Sequence, residues 1–198
     1  MSLKNTQLKV FFCDLTYDTI ILVSDTIPIN IGFIASYAKK ILKNEISVKL
    51  FKFPKNAIES IKKEKPDLIC LSNYSWNSLL SEHISSIAKK VNPDCITAQG
   101  GPNFPHDDEQ QKIFMRQRSS TDIFIIMEGE ITTTNIIKRI IECNKDKKKI
   151  LSKTIDGAAF ILPSSLNNKN IELIKGIKSQ RIKNLDDIPS PYLNGMLD

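Results

Sequence analysis

Five times between Lys9 and Cys143 a short apolar run is followed by a segment whose apolar residues recur at intervals of three and four. That alternation of strand and helix constrains the fold more than any other feature of the chain. The strands are expected at Lys9–Cys13, Ser47–Phe51, Leu68–Ser72, Cys95–Ala98 and Ile123–Met127. The first helix opens at Pro28 and carries Ile31, Ile34, Ala35, Ala38, Ile41 and Leu42 on one stripe. A short helix runs from Ala57 to Glu64 and is stopped by Pro66; a third, Ser75 to Val91, carries Leu80, Ile84, Ile87, Ala88 and Val91. Asp107, Asp108 and Glu109 place acids in the first turn of a fourth, and Thr132 to Cys143 makes a fifth, with Ile136, Ile137, Ile140 and Ile141 inward.

Strands joined by crossover helices run parallel, and right-handed crossovers leave few topologies. The expectation is an α/β protein with a flavodoxin-like, doubly wound, five-stranded parallel sheet in the order 2-1-3-4-5. Beyond Lys149 the pattern changes. Ala158–Leu162 and Ile171–Lys175 read as a β-hairpin, and the tail from Ile182, with Pro189, Pro191 and Gly195, reads as an extended linker. Residues 1–146 are therefore assigned to the α/β domain, 147–183 to a hairpin appendage and 184–198 to a linker.

With 41% hydrophobic and 25% charged residues the chain is not expected to be disordered, fibrous or membrane-embedded. Met1 to Gln7 leads straight into a strand, so no signal peptide is expected and the chain is read as cytoplasmic. The four cysteines, Cys13, Cys70, Cys95 and Cys143, lack metal-ligand spacing and read as small core residues. The net charge of +6 invites a nucleic-acid reading, but its lysines cluster at the carboxyl ends of helices, on the sheet edge opposite the ligand crevice. Nucleic acid is not the expected partner.

In such folds ligands bind at the carboxyl ends of the strands, which selects three loops. The third-strand loop, Ser72-Asn73-Tyr74-Ser75-Trp76-Asn77, groups four small hydrogen-bonding side chains with two aromatics, a set suited to a large flat ligand rich in amides or hydroxyls. It also reads as a helix start, with Ser75 as the cap and Trp76 packed beneath. The fourth loop, Gly100-Gly101-Pro102-Asn103, bares backbone to a ligand or simply turns tightly. The fifth supplies Glu128-Gly129-Glu130. Asp14, Asp18, Asp25, Asp107, Asp108, Glu128 and Glu130 share this edge, giving an acidic rim that would repel a polyanion.

The order of these loops resembles the N-terminal cobalamin-binding domain of B12-dependent radical SAM proteins. The matching parts are Pro66 to Asn77, Gly100 to Asn103 and Glu128 to Glu130, and Leu185 to Tyr192 is similar to the segment that joins that domain to the catalytic barrel. The resemblance implies that the cobalamin nucleotide tail lies along Ser72, Gly100 and Gly101. It puts the corrin ring over the strand ends near Thr16, Tyr17, Tyr74 and Trp76, and its amide arms near Asn73, Asn77 and Asn103. Pro102, Glu128, Gly129 and Glu130 complete the implied cofactor set. The wider B12-binding pattern places Asp-x-His-x-x-Gly after strand one, whereas Thr16 stands here in the histidine's place and Thr19 in the glycine's. No histidine lower ligand is expected from that loop. His83 reads as a solvated helix residue and His106 as part of a helix start.

The chain lacks the C-x-x-x-C-x-x-C cluster motif, so the 4Fe-4S cluster and S-adenosylmethionine belong by this resemblance to a C-terminal radical SAM barrel, the implied partner. The chain alone would hold cofactor and not catalyse, with methyl transfer or related radical chemistry carried out by the whole. The alternative is an interaction module that keeps the fold and has lost the ligand, favoured by the missing Asp-x-His-x-x-Gly. A flavin carrier would need a glycine-bearing phosphate loop after strand one, and a receiver domain an aspartate ending strand three; neither is present.

Overall fold

The apolar runs become strands β1 (Leu8–Cys13), β2 (Ile46–Phe51), β3 (Leu68–Ser72), β4 (Ile96–Gly100) and β5 (Ile123–Ile125) in the computed structural model. The structure describes residues 7–17, 26–166 and 171–197. β3 is buried at every position, as a central strand covered on both faces must be, and the pairs β1–β2, β1–β3, β3–β4 and β4–β5 are all parallel. The helices are α1 (Ile29–Leu42), α2 (Pro54–Glu64), α3 (Ser78–Val91), α4 (Asp108–Arg116), α5 (Gly129–Glu142) and the short α6 (Lys147–Ile150).

The expected five-stranded sheet is corrected to seven. β6 (Ala158–Ile161) and β7 (Leu173–Lys175) pair antiparallel beyond β5, giving the order β2-β1-β3-β4-β5-β6-β7. β6 is buried at all four positions and cannot stand in a free hairpin; against β5 it also covers an edge that would otherwise present unpaired backbone groups.

On one face, Ile31, Ala35, Ala38 and Leu42 of α1 share a core with Ile136, Ile137 and Ile140 of α5. On the other, Ala57 and Ile61 of α2 meet Ile84 and Ala88 of α3. Phe104, Phe114 of α4 and Phe124 of β5 form an aromatic trio with ring centroids 4.8 to 5.7 Å apart. Strand alternation turns Phe124 away from the α1–α5 face, and Arg118, just past α4, donates to the Ser78 hydroxyl of α3 at 3.0 Å.

The tail, expected to be extended, instead turns at Leu185–Asp187 and again from Pro191 to Leu197, and it is not detached. Lys40 donates to the carbonyl of Asp187 at 2.7 Å, and Pro191 is buried against Gly32, where an added Cβ would lie 3.0 Å from its ring. Met196 packs against the main core. Among the described residues no helix is long and apolar enough to cross a membrane.

The lysines expected to complement helix dipoles also make specific pairs. Asp122 receives Lys89 and Lys147, Asp67 receives Lys145 at 2.8 Å, and Glu64 receives Lys49 at 2.6 Å. Burial pulls the Lys89 ammonium down to about 8, against the raising effect of Asp122.

Candidate functional site

The end of β3 is held by a network of its own. The Ser72 hydroxyl donates to the Asp14 carboxylate at 2.5 Å and accepts from the Asn77 amide at 3.0 Å. The Asn77 side-chain oxygen accepts from the backbone N–H of Tyr74 at 2.8 Å. The Asn73 amide donates to Gln99, while its oxygen accepts from Asn103 at 2.9 Å. Asn73 and Asn77 are completely buried. The sequence expectation that they meet the amide arms of a ligand is therefore corrected: buried amides that satisfy one another are the rule in a polar loop, and these two brace the platform from below. Asn103 is half-buried and gives one amide hydrogen to Asn73.

This bracing also relocates the helix start. Asn77 occupies the position before α3, so Ser75 is not the cap, and Trp76, expected on one reading to pack under the helix, is 63% exposed. Its indole stacks on Tyr74 with centroids 4.3 Å apart and planes 8° from parallel. The Tyr74 hydroxyl accepts from the Asn30 amide at 2.8 Å, which ties β3's loop to the first turn of α1. Tyr17 is 48% exposed and Thr16 half-buried, its N–H donating to the carbonyl of Lys52 at 3.1 Å. The result is an aromatic surface over the carboxyl ends of β1 and β3.

Gly101 has φ +142°, and a methyl group there would collide with the backbone oxygen of Asn73. Only glycine lets the fourth loop pass so close to the third. Gly100, by contrast, lacks a side chain where a Cβ would meet Ile125 at 3.1 Å, which leaves the α1–α5 face open. Pro102 is exposed. In the fifth loop Glu128 precedes α5 without capping it and pairs with Arg181 at 2.8 Å. Gly129 sits where a Cβ would lie 2.5 Å from Ile34, so α1 and α5 converge there; Glu130 is half-buried.

The acidic rim is partly paired: two of its acids meet cations and two accept hydrogen bonds. Asp14 receives Ser72, Asp107 accepts two backbone N–H groups at the start of α4, Asp108 pairs with Lys175 at 2.7 Å and Glu128 with Arg181. Asp18 and Asp25, with Thr19, lie outside the described residues. Charges that look alike in sequence here meet partners from β3, β7 and the tail.

Between these loops a cleft of about 270 Å³ runs into the domain between α1 and α5. Ser72, Tyr74, Gly100, Gly101, Met127, Glu128, Gly129 and Glu130 stand around it, and Phe12, Ile31, Ile34 and Ile125 give it apolar walls. Cys70 lines it too, its thiol pushed well above the usual range by burial; burial likewise takes Cys95 to about 12. One turn into α5 from Gly129 lies Thr133, fully buried, whose hydroxyl has no hydrogen-bond partner among the described residues. Its neighbours are satisfied: Thr134 donates to the carbonyl of Glu130 at 2.8 Å and Thr132 meets Ser179 at 2.9 Å. A second groove of about 630 Å³ shares Gly101, Ile125 and Met127 and carries His106 and Gln111. His83 is exposed on α3, as expected.

Sequence reasoning missed Thr133, Asn30 and Ile34. The triple threonine at 132–134 was the available signal, since three successive residues of a helix face different directions and cannot all serve one purpose.

No family model matches the chain. It is 25% identical over 134 residues to the cobalamin-dependent radical SAM methyltransferase TokK of Streptomyces tokunonensis, a match covering 68% of this chain and 18% of that protein. It is 23% identical over 133 residues to the 2-(S-pantetheinyl)-carbapenam-3-carboxylate methyltransferase of Streptantibioticus cattleyicolor, covering 67% of this chain and 17% of that one. Among solved structures it is similar to the cobalamin-dependent S-adenosylmethionine radical enzyme OxsB with aqua-cobalamin and S-adenosylmethionine bound, with a TM-score of 0.66 and 17% identity. That likeness covers 98% of this chain and 25% of OxsB. The chain thus spans less than a fifth of the curated relatives it matches. The resemblance read from its loops is the relationship the comparisons return: the chain is homologous to part of a cobalamin-dependent radical SAM methyltransferase.

Proposed function

We propose that this chain holds cobalamin for a B12-dependent radical SAM enzyme, with the nucleotide tail in the α1–α5 cleft and the corrin over the strand ends. The observation that carries this reading is the cleft itself, which opens at the carboxyl edge beside Ser72, Gly100 and Gly101 and is lined by Thr133, whose buried hydroxyl has no partner among the described residues. The residues present fit the group: two glycines bare the backbone at the mouth, apolar walls suit a flat base, and an exposed aromatic pair offers a surface to the ring. Bound cobalamin would supply cobalt–carbon chemistry, such as carrying a methyl group.

The chain's own part is positioning. Tyr74 and Trp76 form a flat surface, with Tyr17 and Thr16 at its margin, and Asn73 and Asn77 fix that surface from beneath. Gly101 brings the fourth loop down to it, where Pro102 and Asn103 would border a bound ring. Glu128, Gly129 and Glu130 frame the mouth between α1 and α5. No histidine follows β1, so the chain offers no lower cobalt ligand from that loop. The 4Fe-4S cluster and S-adenosylmethionine would lie in a radical SAM barrel, toward which residues 184–198 lead; methyl transfer would be an activity of the whole and its substrate chosen there.

Spectral titration of the full-length protein with hydroxocobalamin tests this. Retained cobalt after gel filtration, with a spectrum shifted toward the base-off form, is expected. An unshifted spectrum with no retained cobalt would overturn the proposal in favour of an interaction module without cofactor.

A further inference from the structure

Resting on the reading of the cleft as the tail site, we infer that Thr133 selects the lower base, donating its hydroxyl hydrogen to the ring nitrogen that free cobalamin keeps on cobalt. A base released from cobalt exposes that nitrogen's lone pair. In an apolar cleft the lone pair needs a donor, because an unpaired buried acceptor is unfavourable.

The walls formed by Phe12, Ile31, Ile34 and Ile125 have no hydrogen to give. Around the cleft, the Ser72 hydroxyl already donates to Asp14, while the Tyr74 hydroxyl, which accepts from Asn30 and keeps its own hydrogen, stands at the mouth. Thr133 is left with a buried hydroxyl that has no partner among the described residues, although a helical threonine ordinarily bonds back to a carbonyl one turn earlier, as Thr134 does. Its position one turn beyond Gly129 puts it deeper than the loops, where the far end of a tail would reach.

The consequence is discrimination. A benzimidazole or purine base presents an acceptor nitrogen; a phenol or p-cresol base, linked through oxygen, presents none. The test measures equilibrium binding of benzimidazolyl and p-cresolyl cobamides to the full-length protein and to its Thr133→Val and Thr133→Ser variants, without assaying turnover. Thr133→Val is expected to weaken the benzimidazolyl cobamide about tenfold while changing the p-cresolyl one by less than about twofold, and Thr133→Ser to restore the first. The ¹⁵N resonance of the unalkylated ring nitrogen in bound, labelled cobalamin gives a reading on the unmutated protein, and should move in the hydrogen-bonded direction. Equal weakening of both cobamides by Thr133→Val, or a ring nitrogen without a hydrogen-bond shift, would overturn the inference and leave cobalamin binding intact. Failure of the unmutated protein to retain either cobamide would overturn the reading of the cleft along with it.

Discussion

The two edges of the sheet are built on opposite principles. At the amino edge the buried carboxylates are matched: Lys89 and Lys147 converge on Asp122, and Lys145 on Asp67. At the carboxyl edge the polar groups beneath the surface are matched too, through Ser72, Asn73 and Asn77, but the surface is left with exposed Trp76 and Tyr17 and backbone bared by glycine, and below it lies a hydroxyl with no partner among the described residues. Matched charges need no visitor. The carboxyl edge keeps apolar groups and bared backbone where a ligand would complete them, whereas the buried carboxylates of the amino edge already have their partners.

The contrast can be broken in several places. Gly101→Ala forces a side chain into the Asn73 carbonyl at a φ suited to glycine, and should lower stability by about 3 kcal/mol in denaturant unfolding. An unchanged midpoint would mean that the loop approach is not required. Asp122→Asn leaves two lysines facing each other and should cost about 2–3 kcal/mol, yet cobalamin affinity of the folded variant should stay within twofold, about 0.4 kcal/mol. Weakened binding there would couple the edges and remove the distinction. Gly100→Ala is the converse: a methyl that crowds Ile125 should reduce cobalamin affinity about tenfold with less than about 1.5 kcal/mol of destabilisation.

Trp76→Ala is smaller still, because an indole stacked on Tyr74 but otherwise in water supports the fold little. A stability change within about 0.5 kcal/mol is expected, with a fewfold loss of cobalamin affinity; equal binding by both proteins would remove the aromatic surface from the site. Least perturbing is alkylation by iodoacetamide at pH 8. Burial raises the thiols of Cys13, Cys70 and Cys95, so these should remain unmodified in the folded protein while half-buried Cys143 reacts, and rapid labelling of Cys70 would show the cleft open to water.

The α/β class was legible because apolar runs and three-and-four stripes survive any rearrangement of loops; β3 matches its expected span of Leu68–Ser72. That the two strands of the C-terminal hairpin join the main sheet was not. A four-residue apolar run such as Ala158–Ile161 specifies burial but not the neighbour that provides it. The tail misled for a similar reason: proline, glycine and charge mark extended chain, and say nothing of whether Pro191 finds a glycine to rest on. At the site, the loops that carry it could be chosen from strand ends alone, yet asparagine reads the same whether it faces solvent or, like Asn73 and Asn77, the interior. Thr133 stood between two threonines that find partners, Thr134 one turn back and Thr132 at Ser179, and only the packed structure separates it from them.

The central claim is that the tail of bound cobalamin would leave cobalt and enter the α1–α5 cleft in a chain with no histidine in the loop that follows β1. Electron paramagnetic resonance of the full-length protein loaded with cobalamin and reduced to cobalt(II) examines this at the metal itself. Cobalt hyperfine lines without nitrogen splitting are expected. A nitrogen triplet on each line, whether from the cofactor's own base or from an imidazole such as His106, would contradict it.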